Sequence, residues 1–196
     1  SRTAPGAENS LPANLQGLWN NSMTPPWSAD YHININLQMN YWPAGPANLS
    51  LCQQPLNEWM KSLAEKGKLF AREHYRCGGW VAHHLSDPWG HAGPSDSAVG
   101  LWPTGGAWMC LHLWDHYLFT GDEEYLKETA YPIMKGACGF FFEYLYEYEK
   151  EGGTYLVCGP SMSPENRFRL PGKDGEFCLT EGATMDNMIL RELFLH

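Results

Sequence analysis

Between Gly106 and Thr120 the chain reads "GAWMCLHLWDHYLFT", a helix-length run that is apolar on nearly every side. A helix without a polar face cannot lie on a surface, so this one is expected to be buried on both sides, with "TGD" ending it and opening the next element. Its neighbours read as helices too. From Pro55 to Tyr75, Leu56, Trp59, Met60, Leu63 and Phe70 recur at helical spacing, with Glu58, Lys61, Glu65 and Lys68 between them. Residues 122–150 continue the pattern, with Pro132 breaking or restarting the helix and Phe141, Tyr144, Leu145 and Tyr148 marking its inner face. A further helix is predicted over "ATMDNMILRELFL", with Thr184 or Asp186 near its start. Only "TYLVC", residues 154–158, reads as a strand. Helices in succession with almost no strand define an all-α, α/α arrangement. The segments 77–105 and 158–182 are longer than ordinary connections, which points to functional loops.

Composition excludes several classes of function. A net charge of −9 without a basic stripe disfavours nucleic acid as a partner. No run approaches the ~20 apolar residues of a membrane span. The start, "SRTAPGAENSLPANLQG", lacks the order of a signal peptide and reads as if cut from something longer, which leaves export undecided. The six cysteines are scattered without CxxC spacing, a pattern that leans towards reduced thiols and a cytosolic home, although the localisation stays open. Nine Trp and ten Tyr are the most informative count, because many sit beside Pro, Gly and Asn in "TPPWSADY", "NYWPAGP", "DPWGHAG" and "LWPTGG". Such rings either pin their own loops or line a sugar-binding cleft, where flat C–H faces stack on aromatic faces.

Three stretches carry candidate chemistry. In "GPSMSPENRF", Glu165 stands among hydroxyls and directly before Arg167, a setting in which a carboxyl can serve as general acid, although most loop Glu residues are simply solvated. In "CGGWVAHHLSDPWGHAGPSD", His83, His84, Asp87 and Trp89 share one loop. "HLWDH", at 112–116, copies the order of an inverted zinc motif, but with Asp for Glu and no third ligand, so no metal or cofactor is expected. No GxSxG marks a serine nucleophile. In "YHININLQMNYWP", an extended chain would set His32, Asn34, Asn36, Gln38 and Asn40 on one face and Ile33, Ile35, Leu37 and Met39 on the other. That polar face could line a cavity or meet bulk water on an edge strand, and a helix from Leu37 onward is a third possibility.

Taken in order, "LPANLQGLWNN", "YHININLQMNYWPAGPANL", "GGWVAHHLSDPWG", "WPTGGAWMCLHLWDHY", "GPSMSPENRF" and "TMDNMILRELF" closely resemble the catalytic domain of glycoside hydrolase family 95, the inverting α-L-fucosidases. The resemblance runs over nearly the whole chain. It implies an (α/α)6 barrel whose central cleft takes a terminal α-L-fucose, on a fucosylated oligosaccharide or glycan. It implies Glu165 as general acid, and Asn34 and Asn36 as the residues that hold the attacking water. His32 is implied as a sugar contact, and His83, His84, Asp87, Trp89 and Trp42 as residues bordering the same cleft.

An inverting hydrolase protonates the leaving oxygen from one side while water attacks from the other, with the two groups roughly 6.5–9.5 Å apart. Amides are poor bases, but their carbonyl oxygens can aim a water without adding negative charge. In the family a third group, an Asp in the later half of the barrel, polarises that water. No counterpart is found here, and Asp186 is expected to be structural or to support the residues of the site from behind. Residues 1–196 are therefore expected to form about the first half of the barrel, with the other half and an amino-terminal β-sandwich domain as missing partners and with little activity alone. Two alternatives stay open: an α-L-galactosidase of the same family, and a truncated sugar-binding piece that does not cleave.

Overall fold

The computed structural model describes residues 10–17 and 19–196; the start of the chain, where signal-peptide order was sought, and Leu18 of "LPANLQGLWNN" lie outside the described residues. In chain order the elements are β1 (Tyr31–His32), α1 (Asn36–Tyr41), α2 (Ser50–Phe70), β2 (Leu85–Ser86), α3 (Gly105–Thr120), α4 (Glu123–Tyr125) and α5 (Tyr131–Tyr144). They are followed by β3 (Tyr146–Lys150), β4 (Gly153–Val157), β5 (Ser161–Met162), β6 (Leu179–Thr180) and α6 (Thr184–Leu195). One π-helical turn, Ala71–Tyr75, extends α2 and another, Leu126–Ala130, joins α4 to α5. The strands form three antiparallel pairs, β1–β2, β3–β4 and β5–β6. The fold is helix-rich with little strand.

The all-round apolar helix is the hub. α3 packs against α1, α2, α5 and α6, and from Gly105 to Leu113 it buries Ala107, Met109, Cys110 and Leu113 on opposing sides. Its last turn departs from the expectation: Leu118 and Phe119 are exposed, and Gly121, at φ 66°, ends the helix beyond the packed region. Among the buried rings, Trp80 is fixed most tightly. Its indole N–H donates to the Ile133 carbonyl at 2.7 Å, and its backbone N–H donates to the Gly136 carbonyl at 3.2 Å. Glycine makes this seat possible. A Cβ on Gly106 would stand 2.6 Å from the Trp80 ring, and one on Gly79, at φ +63°, would stand 2.2 Å from the Gly136 carbonyl oxygen. The 77–105 loop is thereby pressed onto α5 and α3. All six cysteines are free, and Cys110 and Cys158 are wholly buried.

Three local expectations need correction. Of the readings open for residues 32–40, the extended one fails and the helix from Leu37 onward holds to within a residue: strand stops at His32, a turn follows, and α1 begins at Asn36. Ile33, Leu37 and Tyr41 are all buried, and their spacing of four satisfies a helical period as well as a strand's period of two, so alternation alone could not separate them. His32, Asn34 and Asn36 thus share no strand face. The helix predicted to 150 ends at Tyr144, and Tyr146–Lys150 pairs with Gly153–Val157, the turn being made by Glu151 and Gly152, the latter at φ 104°. Tyr148 is exposed rather than inward-facing. α2 begins at Ser50, five residues before Pro55, which it accommodates internally. α6 starts where it was expected, at Thr184 with Asp186 in its first turn, and Ala183 at its N-cap makes no side-chain cap bond.

Candidate active site

The β1–β2 pair brings two distant motifs together. Tyr31 faces Ser86 and His32 faces Leu85, and the Ile33 N–H donates to the His84 carbonyl at 2.8 Å. His32, Asn34 and His84 thereby become neighbours. The turn after β1 is held by Gln38, a wholly buried residue of α1 whose side-chain amide donates to the Ile33 carbonyl at 2.5 Å. Asn34 is only 7% exposed, and its Oδ1 has no hydrogen-bond partner among the described residues. Asn36, half-buried, opens α1 one turn-residue further on.

Each histidine of the group has its own carboxylate. His32 Nε2 lies 2.7 Å from Asp30 Oδ1, an ion-pair contact that is not aligned as a hydrogen bond. His84 Nε2 lies 3.6 Å from Asp96 Oδ2. Burial pushes the His84 pKa down, with the Asp96 carboxylate opposing and His32 adding to the shift. His83 points elsewhere. It is wholly buried, with Nδ1 at 2.8 Å from the Ala92 carbonyl and Nε2 at 2.8 Å from the Tyr75 hydroxyl. Burial lowers its pKa to about 4, so the ring is neutral near pH 7: Nδ1–H donates to Ala92 and Nε2 accepts from Tyr75.

Asp87 organises the loop that follows β2. Its Oδ1 accepts from the Trp89 and His91 N–H groups at 2.9 and 3.0 Å, and its backbone carbonyl accepts from the Trp59 indole at 3.0 Å. The turn so formed presents Trp89, 76% exposed, to an open cavity of about 450 Å³ that Phe70, His74 and His91 also line. Trp42, half-exposed, lines a different cavity of about 200 Å³ with Tyr41, Gln53 and His112. His112 is buried and its pKa is lowered by burial to about 4. Among the described residues no three His, Cys, Asp or Glu side chains gather as a metal-binding group.

Glu165 is exposed on a tight turn that leaves β5, closed by the Asn166 N–H donating to the Ser163 carbonyl at 2.6 Å. Among the described residues no hydrogen bond or ion pair joins it to the Asn34 group. The connection is indirect, and sequence reading missed it. The Met162 N–H donates to the Leu101 carbonyl at 2.8 Å, while Thr104, three residues on, bridges Ala82, next to His83 and His84. Asp186 lies between these contacts, wholly buried in the first turn of α6. Its Oδ1 accepts from the Trp102 indole at 2.9 Å and the Thr104 hydroxyl at 2.7 Å. Its Oδ2 makes no direct hydrogen bond, although the Ser161 hydroxyl interacts favourably with the carboxylate. Burial raises the Asp186 pKa, and Ser161, Thr104 and Trp102 partly offset that. The signal for this hub was present in the sequence, in the Trp and Thr of "LWPTGG" and the Asp of "TMDN", but nothing in their spacing joins them.

A model of the glycosyl hydrolase family 95 catalytic domain matches residues 3–196, and the chain belongs to that family. It is 44% identical over 185 residues to a protein named alpha-L-fucosidase 2 from Arabidopsis thaliana, covering 93% of this chain and 21% of that protein. It is 39% identical over 204 residues to a probable alpha-fucosidase A from Aspergillus niger, covering 100% of this chain and 24% of the relative. The chain thus spans less than a quarter of the length of these relatives.

Proposed function

We propose that this chain forms part of a glycoside hydrolase that removes terminal α-L-fucose, α-1,2-linked, from oligosaccharides or glycans with inversion. Family membership and the names of its relatives support the reaction class. The observation that carries the assignment of roles is Asn34 Oδ1, a buried acceptor without a partner among the described residues, in a turn beside His32 and His84. Leaving such an acceptor unmet costs about 1–3 kcal/mol, a cost that a bound water removes. Asn34 and Asn36 hold the attacking water, and Glu165 protonates the leaving oxygen from its exposed turn. His32 and His84 contact the sugar, and Asp87 and Trp89 shape the adjoining rim, with Trp42 further out. His83, with both ring nitrogens engaged, supports the wall behind them.

The carboxylate that polarises the water comes from the remainder of the protein, which also completes the (α/α)6 toroid of which these residues form about the first half. The exposed Leu118, Phe119, Phe142 and Leu195 suit contact with that remainder. The 196 residues alone are accordingly inactive. A proton NMR time course of fucoside cleavage by the full-length protein tests the stereochemistry: β-fucose appears first if the mechanism inverts, and α-fucose appearing first overturns it. Glu165→Gln tests the acid. Its turnover of a natural disaccharide falls by about 10²-fold or more, and near-normal turnover removes Glu165 from that role.

A further inference from the structure

We propose that Asp186 is a positioning residue, which through Trp102 and Thr104 sets the acid loop against the side of the site that holds the water; this rests on Glu165 being the general acid. The contacts form a continuous path. Ile33, beside Asn34, is bonded to His84, and Ala82, two residues before His84, pairs with Thr104 and accepts from the Gly106 N–H at 3.0 Å. Thr104 and Trp102 both donate to Asp186 Oδ1. Leu101, next to Trp102, accepts from Met162, three residues before Glu165. Asp186 clamps the 101–104 segment from outside it, through Trp102 and Thr104, and it stands in the first turn of α6.

A residue that merely filled this space would be apolar, because burying a carboxyl is costly. What the carboxyl adds is direction. A single oxygen shared by an indole N–H and a hydroxyl fixes both the rotation and the height of the turn from which the acid loop's strand hangs. Loosening it displaces Glu165 relative to the glycosidic oxygen, and a small misplacement of a reacting group is enough to reduce the rate steeply.

Leaving-group dependence reads this out in the full-length protein. α-L-Fucosyl fluoride leaves with little need of a general acid, whereas a fucosyl-α-1,2-galactose disaccharide needs one. Asp186→Ala and Thr104→Val are expected to lower kcat on the disaccharide about tenfold more than on the fluoride, with KM little changed, and Asp186→Asn, which keeps the accepting oxygen, to restore most of it. Thr104→Val carries the test if Asp186→Ala does not fold. Equal losses on both substrates, or no loss in folded Thr104→Val, overturn the proposal. Glu165→Gln is the control. If it shows no leaving-group bias, the acid assignment falls and the positioning role with it; if it shows the bias and the Asp186 and Thr104 variants do not, only the positioning role falls.

Discussion

The Tyr75 hydroxyl donates to His83 Nε2 at 2.8 Å, while the opposite nitrogen of the same ring stands 2.8 Å from the Ala92 carbonyl. One buried imidazole therefore ties the π-helical turn after α2 to both sides of the 77–105 loop. Tyr75→Phe leaves Nε2 without a donor in a place water does not reach, at a cost of about 1–3 kcal/mol. Urea unfolding measures it, and an unchanged midpoint at unchanged slope would show that the bond is unimportant.

Acid should loosen the fold. His83 and His112 have folded pKa values of about 4 against 6.5 when solvated, so between these values the unfolded chain binds protons that the native one refuses. Their contribution is fully present above pH 6.5 and is lost as pH falls towards 4, on the order of 3 kcal/mol for each. Asp186, whose pKa is raised, acts in the opposite sense and offsets part of the loss at the acid end. Thermal unfolding at successive pH values follows the sum. A flat profile from pH 6.5 to 4.5 contradicts it, and His112→Asn is expected to reduce the slope.

Gly79 is predicted to tolerate no side chain. A Cβ there meets the Gly136 carbonyl oxygen at 2.2 Å and the Phe140 nitrogen at 2.3 Å, both backbone atoms of α5, and φ is +63°. Gly79→Ala should cost more than about 3 kcal/mol, since neither the strain nor the overlap can be relieved by a rotamer change. Soluble yield and melting temperature report it, and a wild-type melting curve would mean that the loop does not bear on α5 as described.

Asn34 separates stability from activity. Replacing it with Leu, of similar volume, removes a buried acceptor without a partner among the described residues, so the fold should hold or gain up to about 2 kcal/mol. Turnover in the full-length protein should fall by about 10²-fold or more if Asn34 aims the attacking water. Parallel unfolding and fucoside-hydrolysis measurements decide it. Loss of stability together with activity would make Asn34 a structural residue.

The helices were legible where one period dominated. α3 could be read because no polar face interrupts its first nine residues, and α6 because Ile189, Leu190 and Leu193 repeat at helical spacing and are buried together. "YHININL" stayed open between strand and helix because residues four apart fit two periods at once, and the deciding contact, the Gln38 amide on the Ile33 carbonyl, is a matter of geometry. The β3–β4 hairpin did leave a trace. "YEYEKEGGTYLV" alternates on either side of a turn at Glu151 and Gly152, but Tyr and Leu also extend the helical face of α5, and that period masks the alternation. In the candidate site, Glu165, Asn34, His32 and Gln38 stand in motifs of the sequence, whereas Asp96 and the contacts that join Asp186 to Trp102 and Thr104 do not show there. Those depend on long-range pairing that no local spacing encodes.

The free thiols give the protein a built-in clock. Burial pushes the Cys110 and Cys158 pKa values upward, with Asp186 adding to the effect at Cys158, so neither sulfur offers thiolate to an alkylating reagent while the chain is folded. Their labelling therefore waits for the core around α3 to open. Mass spectrometry of successive aliquots would then time that opening without any introduced dye.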